Sequence, residues 1–171
     1  MIAQNINPYL VDAPNVFIEN RKKPLFDVPE LTDGNRPTDG GNLIIEGADY
    51  EIFIANEPNA LPYVRKYMMA REFLHNEDRY CLWLVGCPPS ELKKMPLVLK
   101  RIEAVRQFRQ ASTKKATQNF AETPAIFQEI RHPSSSYAVI PFTSSKRRKY
   151  IPIGFLTNTT VAGGWGLVYS A

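Results

Sequence analysis

The 171-residue sequence lacks the marks of several large classes of protein. Its 2 cysteines, Cys81 and Cys87, have neither CxxC spacing nor a nearby histidine pair, so neither a disulfide framework nor a zinc site is expected. No apolar run approaches the roughly 18 residues that a membrane span requires. The first residues carry neither the basic nor the apolar region of a secretory signal. A cytoplasmic protein without a membrane partner is therefore expected.

The sequence also has little that resembles catalytic chemistry. The Asn7–Tyr9 tripeptide is part of the motif with which adenine methyltransferases hold a flipped base, but it lacks the second proline and has no cofactor loop before it. The Glu91–Lys93 triplet has the Glu-x-Lys form of a magnesium nuclease, without a convincing acidic partner upstream. His75 and His132 have no nucleophile placed beside them by a motif. We therefore expect no catalytic residue, metal site or cofactor in this chain.

What the sequence does have is an uneven distribution of charge. The net charge is +4, but residues 1–78 carry 7 Lys and Arg against 13 Asp and Glu, whereas residues 79–171 carry 14 against 4. Such a split predicts a molecule with two electrostatic faces, of which the basic one suits a polyanion. A solvated basic helix face and a basic loop would explain the charge equally well.

Proline and glycine divide the chain near residue 42. Five prolines and the Asp39–Asn42 turn interrupt residues 1–42, so this segment is predicted to be an extended, Pro-rich arm with short strands. An arm of this kind usually lies on a neighbouring domain or a ligand. Residues 43–171 hold the periodic segments and are predicted to form the folded domain.

The periodic segments predict an α+β fold with a mixed β-sheet and a central helical segment. Helices are predicted for a short segment ending before Pro58, for 60–70, for 97–112 and for 117–122. Strands are predicted for 71–74, 79–85, 137–143 and 149–156. The strand at 79–85 is apolar on both faces and is therefore expected at the centre of the sheet. The apolar stripe of the long helix consists of Val98, Ile102, Val105 and Phe108.

The loop between the last two predicted strands contains a conspicuous basic run. It comprises Ser144, Ser145, Lys146, Arg147, Arg148 and Lys149. A hairpin tip of this composition can enter the major groove of DNA, where arginine binds guanine through two parallel hydrogen bonds. The serines and the neighbouring Arg131 could contact the phosphate backbone, which positions a protein without specifying a sequence. The other interpretation is a solvated basic turn that protects an edge strand, and spacing alone does not decide between the two.

Several strings of the sequence, taken in order, resemble one known family. They are INPYLVDAPNVFI, RYCLWLV, LKRIEAVRQFRQASTKKATQNFAETP, EIRHP and SSKRRKYIPIGF, and together they span about Ile6 to Leu156. They resemble the target recognition domain of the type IIL (MmeI-like) restriction-modification family. The resemblance implies that the chain reads double-stranded DNA and follows a methyltransferase domain in a longer protein.

The resemblance also implies a particular parent protein. That parent would join a magnesium-dependent nuclease, an N6-adenine methyltransferase that uses S-adenosylmethionine, this recognition domain and a C-terminal helical segment. Residues 1–42 would then be an arm or linker after the missing methyltransferase domain. Residues 43–171 would be a target recognition domain truncated at its C-terminus, because the family pattern normally continues past Thr157 into another strand and then the C-terminal helices.

The same resemblance assigns roles within the basic loop. Lys146 and Arg148 are expected to contact base edges, and Arg147 and Lys149 to contact phosphates. Positioning contacts are expected from Ser144, Ser145 and Arg131. The alternative hypothesis is a protein interaction module whose acidic N-terminal arm docks on a partner methyltransferase or another enzyme.

Overall fold

Two four-stranded sheets form the frame of the protein. The computed structural model describes residues 5–15, 20, 26, 31–164 and 166–170. Within these residues the strands are β1 (Thr32–Asp33), β2 (Ile44–Glu46), β3 (Val64–Met68), β4 (Arg79–Leu82), β5 (Tyr137–Pro141), β6 (Gly154–Leu156), β7 (Thr160–Ala162) and β8 (Gly166–Ser170). The helices are α1 (Tyr50–Asn56), α2 (Ala70–His75), α3 (Pro89–Leu92), α4 (Pro96–Gln110) and α5 (Lys115–Asn119), with 3-10 turns at Gly47–Asp49, Pro58–Tyr63 and Phe120–Glu122. The expected α+β class is confirmed.

The first sheet, here called the core sheet, has the order β2-β4-β3-β7. It is mixed, because β4 is antiparallel to β2 and β3 while β3 and β7 run parallel. The central place predicted for the 79–85 segment is confirmed: Cys81 and Leu82 are fully buried between the neighbouring strands. The acidic and basic halves of the sequence therefore interleave in space, since β4 belongs to the basic half and its neighbours β2 and β3 to the acidic half.

The second sheet, here called the hairpin sheet, has the order β1-β8-β5-β6 and is antiparallel throughout. Tyr137, Val139 and Pro141 of β5 alternate inward and are buried, as a strand with one face on a core requires. The pairing of Tyr137 with Leu156 makes β5 and β6 a hairpin whose connection is residues 142–153. The strand–loop–strand order predicted for 137–156 is confirmed, with a second strand that is shorter than expected.

Two predicted elements were wrong. Residues 60–70 were expected to form a helix, but a 3-10 turn leads directly into β3, because pairing with β4 and β7 satisfies the backbone along both edges of that strand. Residues 71–74 were expected to form a strand and instead lie in α2. That helix is fixed locally: the Glu72 carboxylate accepts a 2.9 Å hydrogen bond from the Met69 backbone N–H, and Asn76 ends the helix in the left-handed conformation.

The long helix α4 was predicted correctly, but its buried stripe ends differently. Val98, Ile102 and Val105 are buried as expected, whereas Phe108 is 46% exposed and the next residue, Arg109, is fully buried. The Arg109 guanidinium donates five hydrogen bonds, at 2.8–3.0 Å, to backbone carbonyls; the acceptors are Pro37, Thr38, Phe120, Thr123 and Ile126. Arg109 thereby ties α4 to the chain segments on either side of it.

A buried amide side chain lies at the junction of the two sheets. Asn35 is fully buried just after β1, and its backbone N–H and side-chain amide both donate to the Ala162 carbonyl of β7, at 2.9 and 3.0 Å. Its side-chain oxygen accepts a 2.8 Å bond from the Arg131 backbone N–H. Asn35 therefore fixes the position of the hairpin sheet relative to the core sheet. Much of the expected N-terminal arm lies outside the described residues. None of the helices in the described part of the chain is long and apolar enough to cross a membrane.

Candidate nucleic-acid interface

The basic run lies at the tip of the β5–β6 hairpin. Every residue from 142 to 150 is exposed. The Arg148 backbone N–H donates to the Ser145 carbonyl at 2.9 Å, and the Arg147 N–H donates to the Ser145 hydroxyl at 3.2 Å. These bonds close a β-turn with Lys146 and Arg147 at its two central positions. The turn therefore presents its cationic side chains at the outermost point of the hairpin.

The cations of this loop are not neutralised by the protein. Among the residues that the structure describes, no carboxylate lies within ion-pairing distance of Lys146, Arg147, Arg148 or Lys149. The Lys149 ammonium lies 5.5 Å from the centre of the Tyr150 ring, a cation–π contact that leaves its charge uncompensated. The arginines that do pair with carboxylates are Arg36, Arg71, Arg79, Arg106 and Arg131. The tip therefore carries four consecutive cations without a carboxylate partner among the described residues.

The two serines of the loop have different environments. The Ser145 hydroxyl oxygen accepts a bond within the turn, yet its own proton remains available to donate outward. Ser144 is exposed just before the turn. The two serines, for which positioning contacts are predicted, lie beside the cations in the same loop.

Arg131 lies in a different place. Its guanidinium forms a 2.6 Å ion pair with Glu129 and a 3.5 Å hydrogen bond to the Gly34 carbonyl. Its backbone N–H is held by Asn35 at the junction of the two sheets. None of these three partners belongs to the basic loop, so these contacts do not connect Arg131 to the loop cations.

A cleft of about 810 Å³ lies at the base of the loop. We call it the tip-end cleft; its wall includes Phe142 and Thr143, which follow β5, and the side chains of Arg36, Tyr67 and Arg79. Arg36 pairs with Asp33 at 2.8 Å, and Arg79 pairs with Glu46 at 2.7 Å, so both cations are compensated. Burial raises the pKa of Tyr67 well above its ordinary value, which keeps its hydroxyl protonated. Sequence reasoning missed this cleft because its residues come from five separated segments.

An apolar stripe continues from the loop toward β6. Ile151, Ile153 and Phe155 alternate along the chain and are 66%, 57% and 83% exposed, whereas the intervening Pro152 and Gly154 are half-buried. Gly154 packs so closely that an added Cβ would lie 2.3 Å from the Phe73 ring. The hairpin therefore presents cations at its tip and apolar side chains along its outer face.

A two-sheet frame with an exposed basic hairpin loop, whose cations lack carboxylate partners among the described residues, defines a domain suited to a polyanion. The chain matches the family model described as MmeI, target recognition domain, over residues 12–168. It is similar to the solved structure of the type IIL restriction-modification enzyme MmeI in complex with DNA, with a TM-score of 0.88 and 41% identity, over 99% of this chain and 23% of that one. It is also 36% identical over 160 residues to DNA methyltransferase A of Bacillus subtilis strain 168, covering 94% of this chain and 18% of that protein.

The chain belongs to the MmeI target recognition domain family. The resemblance inferred from the ordered strings is thereby confirmed. Because the chain spans only 18% and 23% of the length of these two relatives, it corresponds to the recognition part of such proteins.

Proposed function

We propose that this chain is the sequence-reading domain of a larger restriction-modification protein and that it reads double-stranded DNA through the 142–153 loop. The observation that carries the proposal is the set of cations at 146–149, which are exposed at the tip of a hairpin and lack carboxylate partners among the described residues. A major groove, about 12 Å wide, admits a two-stranded β-ribbon of this kind. The similarity to an enzyme solved with DNA supports the same assignment.

Within this proposal, Lys146 and Arg148 contact base edges, while Arg147 and Lys149 contact phosphates. An arginine that donates two bonds to guanine supplies about 1–3 kcal/mol of discrimination against a wrong base. Ser144 and the free proton of Ser145 add positioning bonds to the backbone. Arg131 contributes less to the electrostatics than expected from sequence, because Glu129 neutralises its charge.

The catalytic chemistry of the parent would then lie outside this chain. The resemblance implies a cytoplasmic parent whose nuclease uses magnesium and whose methyltransferase transfers a methyl group from S-adenosylmethionine to adenine N6. The recognition domain would contribute binding and register on the DNA to both reactions. A change of base preference in the loop would therefore alter cutting and methylation together.

Binding of labelled duplex DNA, followed by fluorescence anisotropy across a range of salt concentrations, tests the proposal. We expect salt-sensitive binding that weakens in Lys146→Ala and in Arg148→Ala. The controls are Lys93→Ala, just after α3, and Arg106→Ala in α4, where Arg106 pairs with Glu103; both remove a positive charge from an exposed position outside the loop. Absence of binding at high micromolar protein, or loop variants that bind like the wild type, would refute the function of the isolated chain.

A second function, docking on the methyltransferase domain of the parent, is favoured by residues 5–15. There a turn is closed by the Asn7 side-chain oxygen, which accepts bonds from the Tyr9 and Val11 N–H groups at 3.0 and 3.2 Å. Ile6 and Leu10 are nevertheless 65% and 84% exposed. We expect a separately expressed methyltransferase portion to co-purify with this chain. Deletion of residues 1–20 should abolish that co-purification. A Leu10→Asp variant that still co-purifies would exclude this surface.

A further inference from the structure

A second cleft lies at the opposite end of the hairpin from the basic tip. We call it the root-end cleft; its volume is about 740 Å³, and its polar wall consists of Arg65, Trp83, His132, Ser134, Asn158 and Thr159. Ser134 precedes β5 and Asn158 follows β6, so the cleft opens where the hairpin joins the frame. None of the described residues that line it is acidic. Arg65 therefore sets the charge of this cleft.

The donors of Arg65 are largely unused by the protein. Its Nη1 lies 3.4 Å from the Asn158 carbonyl and 3.4 Å from His132 Nε2. His132 Nε2 lies 2.7 Å from the same carbonyl and donates to it, so this nitrogen cannot also accept from Arg65. Burial lowers the pKa of His132, which keeps the ring neutral. A guanidinium with five N–H donors and one long bond retains several for a ligand.

The orientation of Arg65 is nevertheless fixed. Its guanidinium lies 5.5 Å from the centre of the Trp83 ring, a cation–π contact on a residue that is itself buried. The Trp83 ring is held in turn by an edge contact with Phe127, at 5.3 Å between centroids. The cation is thus held in place before any ligand arrives, which lowers the entropic cost of binding.

Arg65 resembles the loop arginines and differs from the other described arginines. Five of those pair with carboxylates, and Arg101 and Arg109 bond to backbone carbonyls. Within the described part of the chain, Arg147 and Arg148 have no such partner, and Arg65 has only the long 3.4 Å bond to the Asn158 carbonyl. An acid-free cleft with a fixed, uncompensated arginine is chemically matched to a phosphate group.

We propose that Arg65 binds a backbone phosphate of the same DNA duplex whose bases meet the loop, an inference that rests on the proposed function. Arg65 and Tyr67 of β3 and Met69, the extended residue that follows the strand, alternate along the chain, and the last two line the tip-end cleft. The two clefts therefore lie along one side of β3. Residues 65 and 69, one in each cleft, are separated by about 13 Å of extended chain. Arg65 thus anchors the duplex at a distance from the bases that are read.

The test is the salt dependence of duplex binding by Arg65→Gln. Each phosphate contact contributes about 0.9 to the slope of log affinity against log salt. We expect Arg65→Gln to lower that slope by about one unit for every DNA sequence, and Arg65→Lys to retain it. Thr159→Glu, which places a carboxylate in the cleft and leaves Arg65 intact, should lower the slope in the same way. The control Arg106→Gln should leave it unchanged.

The possible failures are distinguishable. If the wild type binds DNA and both Arg65→Gln and Thr159→Glu keep its slope, the phosphate contact is wrong and the proposed function stands. If the wild type binds no duplex, the proposed function fails. Titration with inorganic phosphate alone, followed by the NMR signal of the Trp83 indole, gives a further arm. Saturable phosphate binding that depends on Arg65, together with an unchanged DNA slope, would assign the cleft to a small anion and overturn the proposal.

Discussion

Arg109 and the loop cations carry the same charge in opposite surroundings. Arg109 is fully buried, and five carbonyl oxygens of neighbouring segments surround its guanidinium. Arg147 and Arg148 are exposed at the hairpin tip, with no carboxylate partner among the described residues. Burial lowers the pKa of Arg109, and the guanidinium remains charged at physiological pH because its ordinary pKa is so high. The first cation has all its donors committed to the fold, and the others have theirs available.

The difference shows how a basic sequence is divided between stability and binding. Arg101 belongs with Arg109, since it donates 3.0 Å bonds to the Asn42 and Ile44 carbonyls and lies over the Phe53 ring. Residues 79–171 carry 14 Lys and Arg, but the cations of this half that hold the frame together are not free to meet a polyanion. The DNA-binding charge should therefore be smaller than the composition suggests and confined to a few positions.

The largest expected effect is the loss of the buried cation. Arg109→Leu leaves five carbonyl oxygens without their donor, and we expect it to lower the free energy of unfolding by about 3–5 kcal/mol. Urea denaturation followed by circular dichroism measures this. Arg106→Leu, on the exposed side of the same helix, is the matched control and should change stability by less than about 1 kcal/mol. Equal effects of the two substitutions would remove the distinction between the buried cation and an exposed one.

Next in size is the removal of a base contact at the tip. Arg148→Ala should weaken binding to the preferred DNA sequence by about 1–3 kcal/mol and flatten the preference at one base pair. Its free energy of unfolding should stay close to that of the wild type, because the side chain is exposed. Competition binding with single-base-pair variants of the preferred duplex provides the measurement. A uniform loss across all duplexes would make Arg148 a phosphate contact instead.

A smaller effect is expected from the hydroxyl at the base of the hairpin. Tyr137, the first residue of β5, donates a short hydrogen bond to the Thr160 carbonyl of the core sheet. Tyr137→Phe should lower the free energy of unfolding by about 0.5–1.5 kcal/mol at neutral pH and leave DNA sequence preference unchanged. A changed preference would show that the frame, and not the loop alone, selects the bases.

The same tyrosine gives a signed pH dependence. Burial raises the pKa of Tyr137 to about 12, whereas the unfolded chain releases this proton near pH 10. The unfolded state is therefore favoured increasingly as pH rises between those values, and stability should fall over that range. Tyr137→Phe removes this contribution, so its loss of stability with pH should be shallower than that of the wild type. Parallel pH profiles for the two proteins would contradict the assignment.

The smallest effect concerns the shape of the turn. Ser145→Ala removes the hydroxyl that accepts the Arg147 N–H, while the backbone bond from Arg148 to Ser145 remains. We expect DNA affinity to fall about two- to fivefold, the equivalent of roughly 0.5–1 kcal/mol for one exposed hydrogen bond. Ser144→Ala, one residue earlier, should have a smaller effect. A larger loss at 144 than at 145 would mean that direct contact outweighs the shaping of the turn.

Elements whose information is local were predicted from the sequence. The apolar spacing of Val98, Ile102 and Val105 defined α4, and the two apolar runs around the basic residues defined the β5–β6 hairpin. The β3 segment was misread because its strand state depends on pairing with β4 and with the distant β7, which a local pattern does not contain. In α2, the order of a short run, a polar turn and an apolar run suggested a hairpin strand, but a single capping carboxylate from Glu72 favoured a helix.

The residues of the candidate site also fall into those that a local sequence pattern reveals and those that it does not. The loop cations were found because four of them are consecutive, whereas Arg65 lay inside a segment predicted to be helical. Its surroundings come from Trp83, His132 and Asn158, which are far apart in the sequence. Arg109 gave no signal either, because a buried arginine is recognisable only once the carbonyls around it are known. Charge runs are readable from sequence, and the partners of single charges are not.

The most direct measurement of the central claim is selection from a pool of random duplexes by the wild type and by loop variants. We predict that the wild type enriches a short sequence, that Lys146→Ala and Arg148→Ala each relax the preference at a base pair of their own, and that Arg147→Ala weakens binding without changing the enriched sequence. Enrichment of the same sequence by all four proteins, with equal discrimination, would contradict the claim that this loop reads the bases.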